Sequence, residues 1–444
     1  MPDRRKLVGT QADGREGASL SGAAQRVMAS GDRILALDTV RGVAVLGILL
    51  LNIVGFAMPA PAYFNPAAYG GSTGADLIVW LVNFVVFDGK MRGLFSFLFG
   101  ASMLLVIDRA EAKGESAARV HYARMTWLLA FGLLHLWLVW WGDILSHYAL
   151  IGMIAFLFRN ARVAQLIGLG ITLLFVQLVM SASLPLLVLN ARAAPGDAEL
   201  AAATSALKLG FGTPPASWIA EQIELHRGSW WRIAVRRFAE NQTMPLIGLL
   251  QYGWETLAYM LFGMAGLRSG MLSGGWQRRA YARCAGIGFA IAVPASAGLA
   301  MWMVAHDFSL LAVTAATMPA TVLLRPLATL GWAGLILLLM RPGGALTQRI
   351  AAAGRMAFSN YLATSLICTT IFYGYGLGLY GELSRAQLYL VVGAVWVAIL
   401  LWSKPWLARF AYGPLEWLWR CLARGQLQPM TAESRPQTIA NATQ

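Results

Sequence analysis

Apolar runs of roughly 20 residues recur along most of this chain, each long enough to carry an α-helix across the hydrocarbon core of a bilayer. That repetition excludes a soluble domain before any motif is considered. Of 444 residues, 58% are hydrophobic and only 13% charged, with a mean hydropathy of +0.58, outside the range of water-soluble folds. The expected class is an all-α, polytopic membrane protein with about ten transmembrane helices. They fall near 36–56, 89–107, 123–141, 143–159, 164–189, 247–267, 284–304, 311–340, 357–375 and 387–402.

The distribution of arginine orients these spans. The net charge of +14 is carried largely by short loops that fall on one side: Arg109, Lys113 and Arg119, then Arg162, then Arg268, Arg278, Arg279 and Arg283, then Arg341, Arg349 and Arg355, then the end with Lys404, Arg409, Arg420 and Arg424. An excess of positive charge marks the cytoplasmic side, so both termini are expected inside, in a bacterial inner (plasma) membrane. The same charge needs no nucleic-acid partner to explain it. Residues 1–33 read as a basic cytoplasmic tail, 34–424 as one transmembrane domain and 425–444 as a disordered tail. Residues 190–246 form the one long external segment, with an interfacial helix suggested by "ASWIAEQIELHRGSWWRIAVRRFAE". The 13-residue stretch 75–87 is short for a span and reads as a surface or re-entrant helix. Cys284, Cys368 and Cys421 are scattered, with no spacing for a disulfide framework or a metal.

Polar side chains inside the apolar runs carry the functional signal, because an ionisable group in hydrocarbon is costly. In the first span, Arg41 and Asn52 are eleven positions apart and so point within about 20° of each other, with Asp38 close to the same line. This face has two readings: an ion pair at the helix end plus an interhelical amide bond, or a binding surface. In "FDGKMRGLFSFLFG", Asp88, Lys90 and Arg92 mark the outer start of the second span, either as interfacial charges or as a grip for an anionic ligand. In "HLWLVWWGDILSHY", Gly142 and Asp143 form a reversal, and Asp143 can cap the following helix. His135 lies about 9 Å before the end of its helix and His147 about 6 Å into the next, at 1.5 Å per residue. The expectation is a polar chamber in the outer half of the bundle, lined by His135, Asp143, His147 and Asn52, where imidazoles move protons near neutral pH. The structural alternative is that His135 bonds a neighbouring backbone and Asp143 only caps.

Several joined motifs resemble one family. "LDTVRGVAVLGILLLNI", "GKMRGLFSFLFGAS", "HLWLVWWGDILSHYALIG", "GRMAFSNYL" and "GPLEWLWR" occur in the order found in YeiB-like bacterial membrane proteins, which contain domain of unknown function 418. The opening pattern is also similar, more distantly, to the type-3 acyltransferases and to heparan-alpha-glucosaminide N-acetyltransferase. That likeness implies transfer of an acyl group from cytoplasmic acyl-CoA to an extracytoplasmic acceptor, a glycan or a small molecule, with no resident cofactor. Asp38 and Arg41 would then lie on the donor side. Asn52 stands where type-3 enzymes have a histidine and the heparan enzyme has asparagine. Asparagine cannot act as a base, and 53–90 contains no histidine, so the base falls to His135, with Asp143 as its partner, or else to His147. The rival classes are a proton-coupled solute transporter and a non-catalytic membrane scaffold. The absence of visible repeat halves weighs against transport.

Overall fold

The computed structural model describes residues 13–431, with side chains from residue 35 onward; the parts of the expected tails at 1–12 and 432–444 lie outside the described residues. Among those described, the chain is helical throughout, with no strand. Six helical stretches are long and apolar enough to cross a membrane: Leu35–Ala57, Gly74–Ala112, Ala117–Val139, Val163–Ala193, Arg278–Ala305 and Arg385–Arg409. A seventh is a pair, Leu310–Ala320 and Leu324–Leu339, bent by 56°. The protein is an all-α, multi-pass membrane protein.

The helices, in chain order, are α1 (Asp13–Ala57), α2 (Gly74–Val82), α3 (Lys90–Ala112), α4 (Ala117–Leu134), α5 (Leu145–Ala155), α6 (Val163–Ala193), α7 (Ala198–Phe211), α8 (Ala216–His226), α9 (Trp230–Asn241), α10 (Met244–Arg268), α11 (Arg278–Ala305), α12 (Leu310–Ala315), α13 (Leu324–Leu339), α14 (Ala345–Arg355), α15 (Ala357–Phe372), α16 (Arg385–Arg409) and α17 (Pro414–Arg424). Every one of the ten expected runs is helical. Three of them do not meet the length and composition of a full crossing. Leu145–Phe158 and α15 are short, and α10 carries the buried Glu255. Residues 74–87 are not a separate surface helix: through a π-helical turn at Asn83–Phe87 and a left-handed Gly89 they lead directly into α3. The expected interfacial helix of 216–240 is two helices, α8 and α9, broken at Arg227–Ser229. The start of the expected disordered tail instead folds back, with the Ala411 amide donating to Met430 O at 2.8 Å.

Glycine sets the closest helix crossings. In lipid, helices associate by van der Waals packing, and a residue without a Cβ lets two backbones touch. A Cβ on Gly100 of α3 would strike the Met260 carbonyl, and one on Gly263 of α10 would strike the Phe97 carbonyl, so each helix lays a glycine on the other's backbone. Gly42 of α1 and Gly354 of α14 do the same against Ile350 and Asp38. Gly298, in contrast, faces open space. Gly263→Val is expected to abolish a monodisperse peak in detergent size-exclusion chromatography, whereas Gly298→Val should leave it unchanged; equal profiles would show that the α3–α10 contact does not hold the bundle.

Candidate functional site

The last turn of α4 widens into a π-helical segment, His135–Val139, closed by the Trp140 amide donating to His135 O at 2.9 Å. Such widened turns recur at functional sites because the extra residue re-aims a side chain. Here it sets His135, 2% exposed, against the reversal at 140–144. The Asp143 carboxylate meets His135 Nδ1 at 2.9 Å through Oδ1, while Oδ2 accepts from the Ser146 amide at 2.8 Å and the Ser146 hydroxyl at 2.6 Å. A carboxylate only accepts, so in the neutral imidazole Nδ1 carries the proton and donates it. Nε2 is left with its lone pair, and it is buried without a hydrogen-bond partner. Asp143 thus caps α5 and holds one histidine tautomer at the same time.

Aromatic rings enclose this pair. The Tyr361 ring lies 5.2 Å from His135 and that of Trp140 6.4 Å away. Trp140 in turn stacks on Phe56 at 3.9 Å and donates from Nε1 to Gly55 O at 3.2 Å. The C-terminal end of α1 therefore reaches the histidine through Gly55 and Phe56. Asn52 is only half-buried. At its level the polar contacts belong to Asn83 and Tyr389, both donating to Leu50 O at 2.8 Å and bonded to each other.

The cavity lies elsewhere than the sequence places it. A space of about 320 Å³ is lined by Arg41, Arg124, Arg355 and Arg420 together with Phe99, Met125, Leu128 and Tyr148, and it extends to Ile144, Leu145 and Tyr361. His135, Asp143, His147 and Asn52 are not in its lining. The expectation of one chamber shared by all four is corrected: the His135 and Asp143 side chains are sealed beside Trp140 and Tyr361, His147 turns to Thr256, and Asn52 is half-buried. The cavity instead opens among residues of the arginine-rich end and stops at Tyr361, whose ring is the wall next to His135.

The arginines are held by short-range and cross-helix contacts. Arg41 pairs with Asp38 at 2.8 Å and donates to Ser102 Oγ at 2.6 Å. The Arg124 guanidinium sits 3.9 Å over the Trp419 ring. Glu416 of α17 accepts from the Phe358 and Ser359 amides at 2.8 and 3.1 Å and from Ser359 Oγ at 2.5 Å, tying the amphipathic α17 to the start of α15. Burial pushes its carboxyl above the usual carboxylate range, with those hydrogen bonds opposing.

Asp88, Lys90 and Arg92 belong to a second cluster, and Lys90 is not the solvated interfacial charge that one reading allowed, whereas the Arg92 side chain keeps 33% of its surface exposed. Lys90 is 1% exposed and donates to Phe84 O at 2.6 Å. Arg92 pairs with Glu255 at 2.8 Å; Arg325 pairs with the same carboxylate at 3.4 Å and donates to Thr317 O at 2.6 Å. Asp88 is half-buried, and its amide closes the π-helical turn by donating to Asn83 O at 2.8 Å. His147 does not turn to Asp143 but meets Thr256 Oγ1 at 2.9 Å, beside this cluster. The structure therefore joins His135 with Asp143, and Arg92 with Glu255. Sequence reasoning missed Ser146, Ser102, Arg124 and Glu416 as contributors. Only Ser146, three residues after Asp143, had a spacing that could have revealed it. Among the described residues no group of histidine, cysteine and carboxylate side chains is arranged to hold a metal ion.

Comparison with known proteins places the chain. It is 36% identical over 405 residues to "Uncharacterized protein YeiB" of Escherichia coli (strain K12), an alignment covering 88% of this chain and 96% of that protein. It is 30% identical over 425 residues to "Uncharacterized protein YxaH" of Bacillus subtilis (strain 168), covering 91% and 97%. The family described as "Protein of unknown function (DUF418)" matches residues 267–426. The chain belongs to the YeiB-like DUF418 family. The DUF418 match spans α11 to α17 and so includes Arg355, Tyr361, Glu416 and Arg420, while His135 and Asp143 lie before it. No solved structure matches the chain.

Proposed function

We propose that this DUF418 protein is an acyltransferase of the bacterial inner membrane, moving an acyl group from cytoplasmic acyl-CoA to an extracytoplasmic acceptor such as a glycan. The observation that carries this reading is the His135–Asp143 pair with an unpartnered Nε2, one aromatic ring away from a cavity with four arginines in its wall. A histidine whose tautomer is fixed by a carboxylate is a suited general base at neutral pH. In this scheme Arg41, Arg124, Arg355 and Arg420 hold the phosphates of the donor. The acyl-pantetheine arm lies between Phe99, Met125 and Tyr148, in a volume near the lower end of ligand pockets. Rotation of Tyr361, whose hydroxyl donates to Gly142 O at 3.3 Å and also meets the Ile144 backbone, opens the way to His135. The imidazole Nε2 takes the proton of the acceptor hydroxyl or amine as that atom attacks the thioester carbonyl; the carbon–sulfur bond breaks, and the imidazolium returns the proton to the leaving thiolate. Asn52 and the part-buried Asp88, Arg92 and His147 bind the acceptor's polar groups, while the buried Lys90 holds the α3 entry through Phe84 O.

The test is transfer of radiolabel from acetyl-CoA to candidate glycans by the purified protein. Label transfer that persists unchanged in His135→Ala would remove the proposed base. Arg355→Gln is expected to raise the donor KM about 10- to 100-fold with kcat little changed, the worth of one charge-assisted hydrogen bond; an unchanged KM would detach the arginines from the donor. A second reading, proton-coupled solute transport, is favoured by one observation: Glu255 with Arg92 and Arg325 sits beside the 56° break between α12 and α13, as polar groups at broken helices do in transporters. Uptake into proteoliposomes without any acyl donor would support it.

A further inference from the structure

The segment joining α6 to α10 contains an arginine that the proposed chemistry does not use. Arg237 of α9 is 5% exposed, and neither of its terminal nitrogens has a hydrogen-bond partner. Its surroundings offer no counter-charge. In the same layer Glu221 and Glu240 pair with Arg236, Glu224 with Arg232 and Glu382 with Arg227, and Asp197 caps α7. What faces Arg237 is Tyr373, its ring centroid 5.8 Å from the guanidinium carbon, and the buried Tyr373 hydroxyl has that guanidinium, and no anion, as its polar neighbour. His226, stacked on Tyr380 at 4.3 Å, adds no anion; burial, with Arg237 contributing, lowers it to about 4, so it is neutral at pH 7.

A guanidinium is charged at any physiological pH and carries five donors. Burying it without acceptors is among the costliest arrangements a fold can keep, and buried charges are ordinarily paired. We propose that Arg237 and the Tyr373 hydroxyl form an anion-binding site that takes a carboxylate or phosphate group. The site adjoins the candidate base. α9 packs on the His135–Val139 turn through the Trp230 indole, which donates to Leu138 O at 2.9 Å, and through Phe238, whose ring meets Trp137 at 5.2 Å. The Trp137 indole N–H is a further buried donor without a partner on that turn. Resting on the acyl-transfer reading, this makes the acceptor an anionic molecule that enters from the side opposite the four arginines of the cavity; the anion site itself does not depend on that reading.

The experiment is thermal unfolding of the purified full-length protein, titrated with sodium phosphate and with sodium acetate at constant ionic strength. It is run in detergent without added phospholipid and again in phosphatidylcholine nanodiscs. A saturable rise of the unfolding midpoint is expected in detergent for the wild type and for His135→Ala, and none for Arg237→Gln. A rise that persists in nanodiscs assigns the site to a free anion; one abolished there assigns it to a lipid headgroup phosphate. Arg237→Lys, which keeps the charge but loses the planar fork, is expected to bind at least tenfold more weakly and serves if the glutamine variant does not fold. No saturable rise in detergent, or an equal rise in the Arg237 variants, would overturn the proposal. Loss of acyl transfer in His135→Ala with the anion response intact would separate the two readings.

Discussion

Replacing His135 with glutamine is expected to lower acyl transfer by about 10²- to 10⁴-fold, the usual contribution of a positioned general base, while the protein remains folded. The side chain is of similar size, and Asp143 keeps both hydrogen bonds from Ser146, so the cap of α5 survives. Asp143→Asn should act through the same histidine. An amide can donate toward Nδ1, which favours the tautomer with the proton on Nε2 and removes its unpartnered lone pair. The two single variants and the double variant should therefore show nearly the same residual rate, since they disable one unit. Independent, multiplicative losses would argue that His135 and Asp143 act separately. If the His135 variant lost folded protein in parallel with activity, the pair would be serving structure alone.

Glu255→Gln is expected to destabilise the bundle by about 3–5 kcal/mol, the cost of leaving buried partners without their counter-charge. Two arginines lean on this one carboxylate: Arg92 at 2.8 Å and Arg325 at 3.4 Å. Arg325 holds the corner of the bent α12–α13 pair by also bonding Thr317 O. The coupling can be read directly. Adding Arg325→Met to Glu255→Gln removes one of the two orphaned cations and should restore part of the lost stability, a non-additivity expected only of residues in one network. Denaturation of the purified variants in detergent gives the comparison. A double variant whose loss equals the sum of the singles would mean that Arg325 stabilises the corner independently of Glu255.

Short-range geometry was legible in the sequence because a helix fixes it. Asp38 and Arg41 are three residues apart and do pair; Asp143 and Ser146 have the same separation and do form the cap. What was not legible is everything that requires knowing which helix faces which. Glu255 and Arg325 fall inside the expected spans 247–267 and 311–340, but nothing in either run says that Glu255 meets Arg92, 163 residues earlier. The same limit moved the cavity. Asn52 and Arg41 lie on one stripe of α1, yet only Arg41 lines the cavity, while Trp140 and Phe56 stack beside His135.

The amino-acid sequence by itself determined the membrane class, the helical segments and the residues whose burial had to be explained, since each follows from the length and polarity of a local run. The tertiary structure alone decided that His135 is oriented by Asp143 with Nε2 free, that the cavity ends at Tyr361 on the arginine side, and that Arg237 is buried facing Tyr373 rather than a carboxylate. The reason is physical. Helical periodicity fixes the direction a side chain takes from its own axis, whereas the neighbour it meets is set by where glycines such as Gly100, Gly263, Gly42 and Gly354 let two helix backbones touch.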